Sequence, residues 1–169
     1  TLHSANELKR TKSENARLKE QVQAISSPTP ASTLIIGNSP VMQQVFSTIE
    51  KVSQTDANIL ILGENGTGKD LVARMIYETS PRAENPFIPI DLGAIPEQLF
   101  ESELFGYEKG AFTDARKAKA GRMEIANKGT LFLDEIGNLT LPMQAKLLTA
   151  LEKRVINRLG STQSIPIDI

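Results

Sequence analysis

The stretch Gly63-Glu64-Asn65-Gly66-Thr67-Gly68-Lys69 constrains this chain more than any other. It follows the apolar run Asn58-Ile59-Leu60-Ile61-Leu62 and precedes the helix-like Asp70-Leu71-Val72-Ala73-Arg74-Met75-Ile76. Glycines at these spacings let the backbone turn tightly with several N–H groups facing inward, a helix N-terminus adds partial positive charge, and the terminal lysine can reach phosphates. The pattern predicts a phosphate-binding loop between a strand at Asn58–Leu62 and a helix. The bland alternative is a glycine-rich strand-to-helix turn with a surface lysine. Asp70 stands where most such loops carry Ser or Thr on Mg²⁺, so metal contact there falls to a carboxylate or to other ligands.

A second half-site lies at Gly129-Thr130-Leu131-Phe132-Leu133-Asp134-Glu135, a strand-like apolar run ending in two acids. It reads as a central, doubly buried strand whose C-terminal edge meets a ligand. Asp134 can hold the shell of Mg²⁺ and Glu135 can polarise an attacking water. By itself an acidic strand end is most often only solvated. Together with the upstream loop it predicts a nucleotide site.

No run approaches the length of a membrane span, no signal peptide opens the chain, and cysteine is absent, which excludes disulfides and thiolate metal sites. The expectation is a soluble, cytoplasmic protein without a membrane partner. A formal net charge of −1 argues against a large nucleic-acid footprint in these residues. His3 is the only histidine, in a polar N-terminal segment, and reads as a solvated side chain.

Residues 1–25 carry a heptad pattern, with Leu8, Asn15 and Val22 at one seam position and Thr11, Leu18 and Ile25 at the other. Glu7 and Glu14 at g positions face Lys12 and Lys19 at e positions of a parallel partner, and a seam asparagine favours two strands. A dimer through this coiled-coil helix is therefore expected, against the plainer alternative of a solvated single helix. Residues 26–32, with Pro28 and Pro30, read as a flexible linker. A globular unit follows over 33–169. In it Ser39 and Pro40 predict a helix start, and Met42, Val45, Phe46, Ile49 and Val52 predict its core face. A strand at Phe87–Asp91, the Asp-Glu strand and a helix from about Pro142 to Lys153 complete an α/β alternation, which implies a parallel sheet covered by helices on both faces. Ile165-Pro166-Ile167-Asp168-Ile169 reads as the entry to a further sheet strand.

Between these elements, Glu103-Leu104-Phe105-Gly106-Tyr107-Glu108-Lys109-Gly110-Ala111-Phe112-Thr113-Asp114-Ala115 is too polar and broken to continue a helix. An ordinary surface loop with Phe112 tucked inward would explain it. The segment also resembles the GAFTGA loop of bacterial enhancer-binding proteins, the AAA+ ATPases that activate sigma-54 RNA polymerase. The resemblance extends from Ile36 to the end of the chain. It takes in Gly63 to Asp70, Glu101 to Gly106, Gly121-Arg122-Met123-Glu124-Ile125-Ala126 and Gly129 to Gly137. An acid after the loop lysine fits this family better than it fits phosphate loops in general. The heptads and linker look like the connector that follows a receiver domain in response-regulator members.

The resemblance implies a three-layer α-β-α P-loop NTPase that forms a hexamer or heptamer ring, hydrolyses ATP with Mg²⁺, and contacts sigma-54 RNA polymerase through Gly110, Ala111, Phe112, Thr113, Asp114 and Ala115. DNA contact would belong to a domain outside these residues. Nucleotide contacts are implied at Ile36, Gly37, Gly63, Glu64, Asn65, Gly66, Thr67, Gly68, Lys69, Asp70 and Leu71. Lys69, Asp134, Glu135 and Asp91 are the implied catalytic set, with Asp134 and Asp70 on the metal. Asp91 stands where many members have an Asn that restrains the glutamate, and Asp114 replaces a glycine. A carboxylate at 91 cannot donate an amide hydrogen bond and would repel an ionised Glu135. Two other readings stay open: a different AAA+ remodelling ATPase, and a nucleotide-gated dimeric interaction module without turnover.

If residues 1–25 pair two chains, deleting them weakens dimerisation at micromolar concentration. Sedimentation of the intact and shortened chains measures this, and an identical oligomer in both would dispose of the coiled coil.

Overall fold

The structure, a computed structural model, describes residues 35–169. The heptad and linker segments lie outside the described residues. Helix α1 spans Pro40–Ser53. Ser39 caps it, with extended backbone and Oγ accepting from the Met42 N–H at 3.3 Å, and Pro40 fills its first turn, where a missing N–H costs nothing. Met42, Val45, Phe46, Ile49 and Val52 form its inward face as the spacing predicts, whereas Val41, Gln43, Gln44, Ser47 and Thr48 are exposed. Helix α2 runs over Lys69–Thr79 and packs beside α1. Gln54 at the end of α1 donates its side-chain N–H to Thr79 O at 2.8 Å, which ties the two C-termini together.

Strand β1, Phe87–Asp91, and strand β4, Thr130–Asp134, pair in parallel, with Phe87 opposite Thr130 and Asp91 opposite Asp134. Pro89 cannot donate to a ladder, and β1 has β4 as its single described strand neighbour, the edge position where a proline is tolerated. From α2, Tyr77 packs on Phe87 with centroids 4.9 Å apart and ring planes tilted by 35°, and the Arg74 guanidinium lies 5.0 Å from the same ring. After β1 come a 3₁₀ turn at Glu97–Leu99, the short helix α3 at Phe100–Phe105 and strand β2 at Gly106–Tyr107. Strand β2 pairs antiparallel with β3, Lys119–Ala120, which leads into the one-turn helix α4 at Arg122–Ile125. Phe100, Leu104 and Met123 are almost completely buried here. Helix α5, Leu141–Lys153, is followed by an antiparallel hairpin of β5, Val155–Asn157, and β6, Ser164–Pro166.

Three expectations are corrected. The run Asn58–Leu62 forms no strand ladder, and Leu60 and Leu62 are 70% and 83% exposed. A strand exists only by hydrogen bonding to a neighbour, and a cavity of about 870 Å³, walled by this run on one side and by β4 on the other, stands where a neighbour would lie. For the same reason β4 is half-buried at every residue instead of doubly buried. The third concerns Ile165–Ile169. Ser164–Pro166 turns back on β5 as a hairpin, and Ile167–Ile169 carries no strand pairing.

That last segment is nevertheless anchored. Lys128 N–H donates to Asp168 O at 2.6 Å, and Asp168 N–H donates to Asn127 Oδ1 at 2.8 Å. Arg82 donates to Gly129 O at 3.3 Å, to Asp56 Oδ1 at 3.0 Å and to Asp168 Oδ1 at 2.7 Å, so one guanidinium gathers the starts of β4, of the apolar run and of the terminal segment. The Arg82 hydrogen bond holds the Asp168 carboxyl below its ordinary value, with Arg82, Arg154 and Lys128 adding attraction. A depressed folded-state value stabilises the fold above the unfolded carboxylate pKa, about 4, and the contribution is lost as pH falls through the folded value. Urea unfolding should therefore show stability declining below about pH 4, with part of that slope missing in Asp168→Asn. The effect is small and weakens in high salt, because Asp168 is 55% exposed.

Candidate functional site

The loop before α2 is shaped by two left-handed glycines, Gly66 at φ 78° and Gly68 at φ 84°, where a Cβ would be strained. Thr67 closes the turn by donating its hydroxyl to Glu64 O at 2.8 Å. Gly68 caps α2 without a side-chain bond, so the first-turn N–H groups of α2 have no side chain to satisfy them and face outward at the positive end of the helix dipole. Lys69 donates Nζ to Glu64 O at 2.8 Å and to Gly63 O at 3.2 Å, curling back over its own loop. Gly63, Asn65, Gly66 and Lys69 line the cavity together with Asp134 and Glu135, where the apolar run and β4 both end. Between Asn58–Leu62 and Thr130–Leu133 the cavity continues as a largely apolar slot, with Arg82 among the residues that line its far end.

Other expected residues fall elsewhere. Ile36 is 87% exposed, Gly37 O accepts from the Gln43 side chain at 3.2 Å, and neither lines the cavity. Glu64, Thr67, Gly68, Asp70 and Leu71 form the loop and first helical turn without lining the cavity. Asp134 Oδ1 accepts the Glu135 N–H at 2.9 Å. Among the described residues no group of three or more His, Asp and Glu side chains forms a metal site. A magnesium ion needs only one or two carboxylates when phosphates and water complete its shell. Asp134, at the cavity, fits such a role.

Asp91 is a clear departure from expectation. Its Oδ1 accepts the N–H groups of Gly93 at 2.9 Å and Ala94 at 3.2 Å, making the tight turn after β1. The hydrogen bond to the Glu135 carboxylate comes instead from Asn138 Nδ2, at 2.6 Å. A carboxylate at 91 thus serves two backbone donors. Glu135 itself has left-handed backbone, φ 54° and ψ 37°, a conformation non-glycine residues hold only when their surroundings impose it.

The segment 107–115 is a compact loop closed on itself. Gly110 N–H donates to Ala115 O at 2.8 Å, Ala111 N–H to Glu108 O at 3.1 Å, and Ala115 is buried. Phe112 is 44% exposed, and its ring meets that of Tyr107 edge-on, with 4.8 Å between centroids. It is displayed and not a core side chain, and Thr113 and Asp114 beside it are exposed. The base of the loop rests on the turn between β5 and β6. Glu108 N–H donates to Leu159 O at 3.0 Å, and Arg158 reaches Glu108 Oε1 at 3.0 Å while forming a two-pronged pair with Glu124 at 2.6 and 2.9 Å. These bonds push the Arg158 guanidinium further above its ordinary value, Glu124 contributing most. Sequence reading had no means of finding Arg158 or Asn138. Asn138 lies four residues past the end of β4, and Arg158 meets partners 34 and 50 residues away.

With this geometry established, the relatives can be named. The family described as "Sigma-54 interaction domain" matches residues 35–169. The chain belongs to that family. It is 51% identical over 147 residues, 85% of the chain, to the "Sigma54-dependent transcriptional activator SfnR" of Pseudomonas putida. It is 48% identical over 163 residues, 92% of the chain, to the "Anaerobic nitric oxide reductase transcription regulator NorR" of Escherichia coli O81 (strain ED1a). The crystal structure of NtrX from Brucella abortus in complex with ADP superposes with a TM-score of 0.74 at 35% identity over 92% of the chain, which agrees with the P-loop NTPase α/β fold. The chain spans 40% of the length of SfnR, 32% of NorR and 34% of NtrX. Among the described residues no helix is long and apolar enough to cross a membrane.

Two substitutions separate display from support in the loop. Phe112→Ala should change unfolding free energy by less than about 1 kcal/mol, as for an exposed side chain, whereas a core phenylalanine would cost about 3–5 kcal/mol. Arg158→Ala, which leaves Glu124 and Glu108 without their donor, should cost about 1–3 kcal/mol. Urea denaturation of both variants gives the comparison; a larger loss for Phe112→Ala would return that ring to the core.

Proposed function

We propose that this chain is the ATP-driven part of a transcriptional activator that remodels sigma-54 RNA polymerase through the loop Gly110–Ala115. One observation carries the reading: in a member of the sigma-54 interaction domain family, the phosphate loop and an exposed Phe112 stand on separate parts of one small fold, so that motor and contact are distinct. NtrX, the structural neighbour, has been crystallised in complex with ATP and with ADP, which supports a nucleotide at the corresponding loop here.

In this reading Lys69 leaves Gly63 O and Glu64 O to neutralise the terminal phosphates, and the first-turn N–H groups of α2 cradle them. Asp134 holds Mg²⁺, which when bound neutralises charge on the transferring phosphoryl group. Glu135 orients the attacking water. Arg158 transmits movement to the loop, because its bonds to Glu108 and Glu124 are the rigid link between the loop base and the segments around it. Phe112 and Thr113 make the sigma contact. Asp114 alters its reach without burying charge, since it is exposed. Pairing of chains through residues 1–25, ring assembly, and DNA contact by another domain complete the proposed protein.

The division of labour at the nucleotide is testable. Lys69→Ala should abolish ATP binding, because the lysine acts on the bound phosphates. Glu135→Gln should keep ATP binding and lose turnover, because its role lies in the transition state. Calorimetric affinity and phosphate release measure the two, and equal loss of affinity in both variants would refute the assignment. Phe112→Ala should preserve ATP binding and remove capture of sigma-54, an effect of about 2 kcal/mol or more at an aromatic anchor. Retained capture would instead favour a different remodelling ATPase.

A further inference from the structure

The loop at 107–115 is the tip of a hairpin whose neck lies between two backbone contacts. On one side of the neck Tyr107 of β2 pairs with Lys119 of β3, and on the other Gly110 N–H donates to Ala115 O at 2.8 Å. These contacts hold Lys109 on one arm beside Arg116 and Lys117 on the other. All three side chains are exposed, and none forms an ion pair or a side-chain hydrogen bond among the described residues.

The charges around them are used differently. Lys119 pairs with Glu103 at 2.5 Å, Arg122 lies 3.7 Å from the same carboxylate, and Arg158 meets Glu108 at 3.0 Å and Glu124 at 2.6 Å. Residues 103–124 together with Arg158 hold six cations and four carboxylates. Asp114 alone among those carboxylates has no ion-pair partner among the described residues, so the excess of positive charge falls on the neck, in a chain whose formal net charge is −1. Like charges on facing arms repel each other. Folding gains nothing from the three, and what they offer is directed outward.

Two kinds of polyanion match such a neck. A duplex carries one phosphate charge about every 1.7 Å along its axis, and would bring that charge against Asp114, exposed at the tip beside Phe112, as well as against Glu103 and Glu108. A peptide can set carboxylates at the neck alone and lay an apolar side chain on the exposed Phe112. The carboxylates within this surface favour the peptide.

We propose that Lys109, Arg116 and Lys117 form a docking neck for an acidic segment of the protein that receives Phe112. The proposal rests on the reading that this loop contacts sigma-54, and it names the chemistry of the segment contacted. Exposed charges act chiefly by steering the encounter, so the neck raises the association rate and salt screens its effect. Phe112 supplies an apolar anchor that screening leaves intact.

The test compares the native chain with two triple variants. One is neutral, Lys109→Gln with Arg116→Gln and Lys117→Gln; the other keeps the charge, Lys109→Arg with Arg116→Lys and Lys117→Arg. Association with purified sigma-54, in Mg²⁺ and a non-hydrolysable ATP analogue, is timed at low and at high salt. The neutral variant should associate about tenfold more slowly than the native chain at low salt and equally fast at high salt. The charge-keeping variant should match the native chain in both. Melting temperature and ATP affinity should not change, since the three side chains lie outside the packed region and the cavity. Equal rates for the native and neutral chains at low salt overturn the proposal, as does a loss that persists in high salt or that the charge-keeping variant shares.

A second measurement needs neither nucleotide nor sigma-54. A fluorescein-labelled hexaglutamate peptide should bind the native chain more tightly than the neutral one at low salt and alike at high salt. Equal peptide binding at low salt overturns the neck. Unchanged peptide binding with lost binding of a short DNA duplex would assign the three cations to nucleic acid instead, and equally overturn it. A native chain that fails to associate with sigma-54 at either salt, yet binds the peptide as described, would count against the sigma-54 reading and leave the acidic docking standing.

Discussion

The parallel pairing of β1 with β4 is the constraint on which the rest of this structure depends. Its register sets Asp91 opposite Asp134, so the two strands finish together and release their chains at the same edge. From that edge β1 turns tightly through Gly93, under the carboxylate of Asp91, while β4 delivers Asp134 and Glu135 to the cavity that the phosphate loop also lines. A slip of one residue would turn every side chain of β4 to the opposite face. It would separate Glu135 from both Gly93 and Asn138.

A second constraint works at a distance. Arg82 and Arg158 are both half-buried guanidiniums, and each gathers groups remote in sequence by using several donors at once. Arg82 holds the starts of three segments along the lower edge of the cavity, with backbone carbonyls as well as carboxylates among its partners. Arg158 holds the loop at 107–115 against α4 and the hairpin turn, leaving Phe112 outside the packed region. The core is thus connected to its exposed loop by a polar joint. A satisfied network of charge-assisted hydrogen bonds makes a stiff joint. That suits a loop proposed to move with the segments beneath it.

Much of this was legible in the chain itself. The phosphate loop was readable because its glycines act through local backbone geometry, and Gly66 and Gly68 do adopt the left-handed conformations the motif needs. Helix α1 was readable because capping and 3.6-residue spacing are properties of a short stretch, and its five inward residues are those the spacing names. The Phe87–Asp91 strand fell where its apolar run placed it. The Asn58–Leu62 run did not form a ladder, since strand structure belongs to a pair and this run meets the cavity where a partner would stand. The reading of Ile165–Ile169 held only for Ile165 and Pro166, which enter a strand whose partner is the nearby β5, a pairing that the short run does not itself announce.

By itself the sequence determined the local elements, the phosphate loop and the family to which the chain belongs, because each of these is written in residues close together. Tertiary structure alone decided which groups meet. It gave Asp91 to the turn at Gly93 and Asn138 to Glu135, put Arg158 beneath the loop, and left Phe112 half in solvent. Side chains separated by tens of residues come together only through packing and strand register, and no local pattern in the chain encodes their distance.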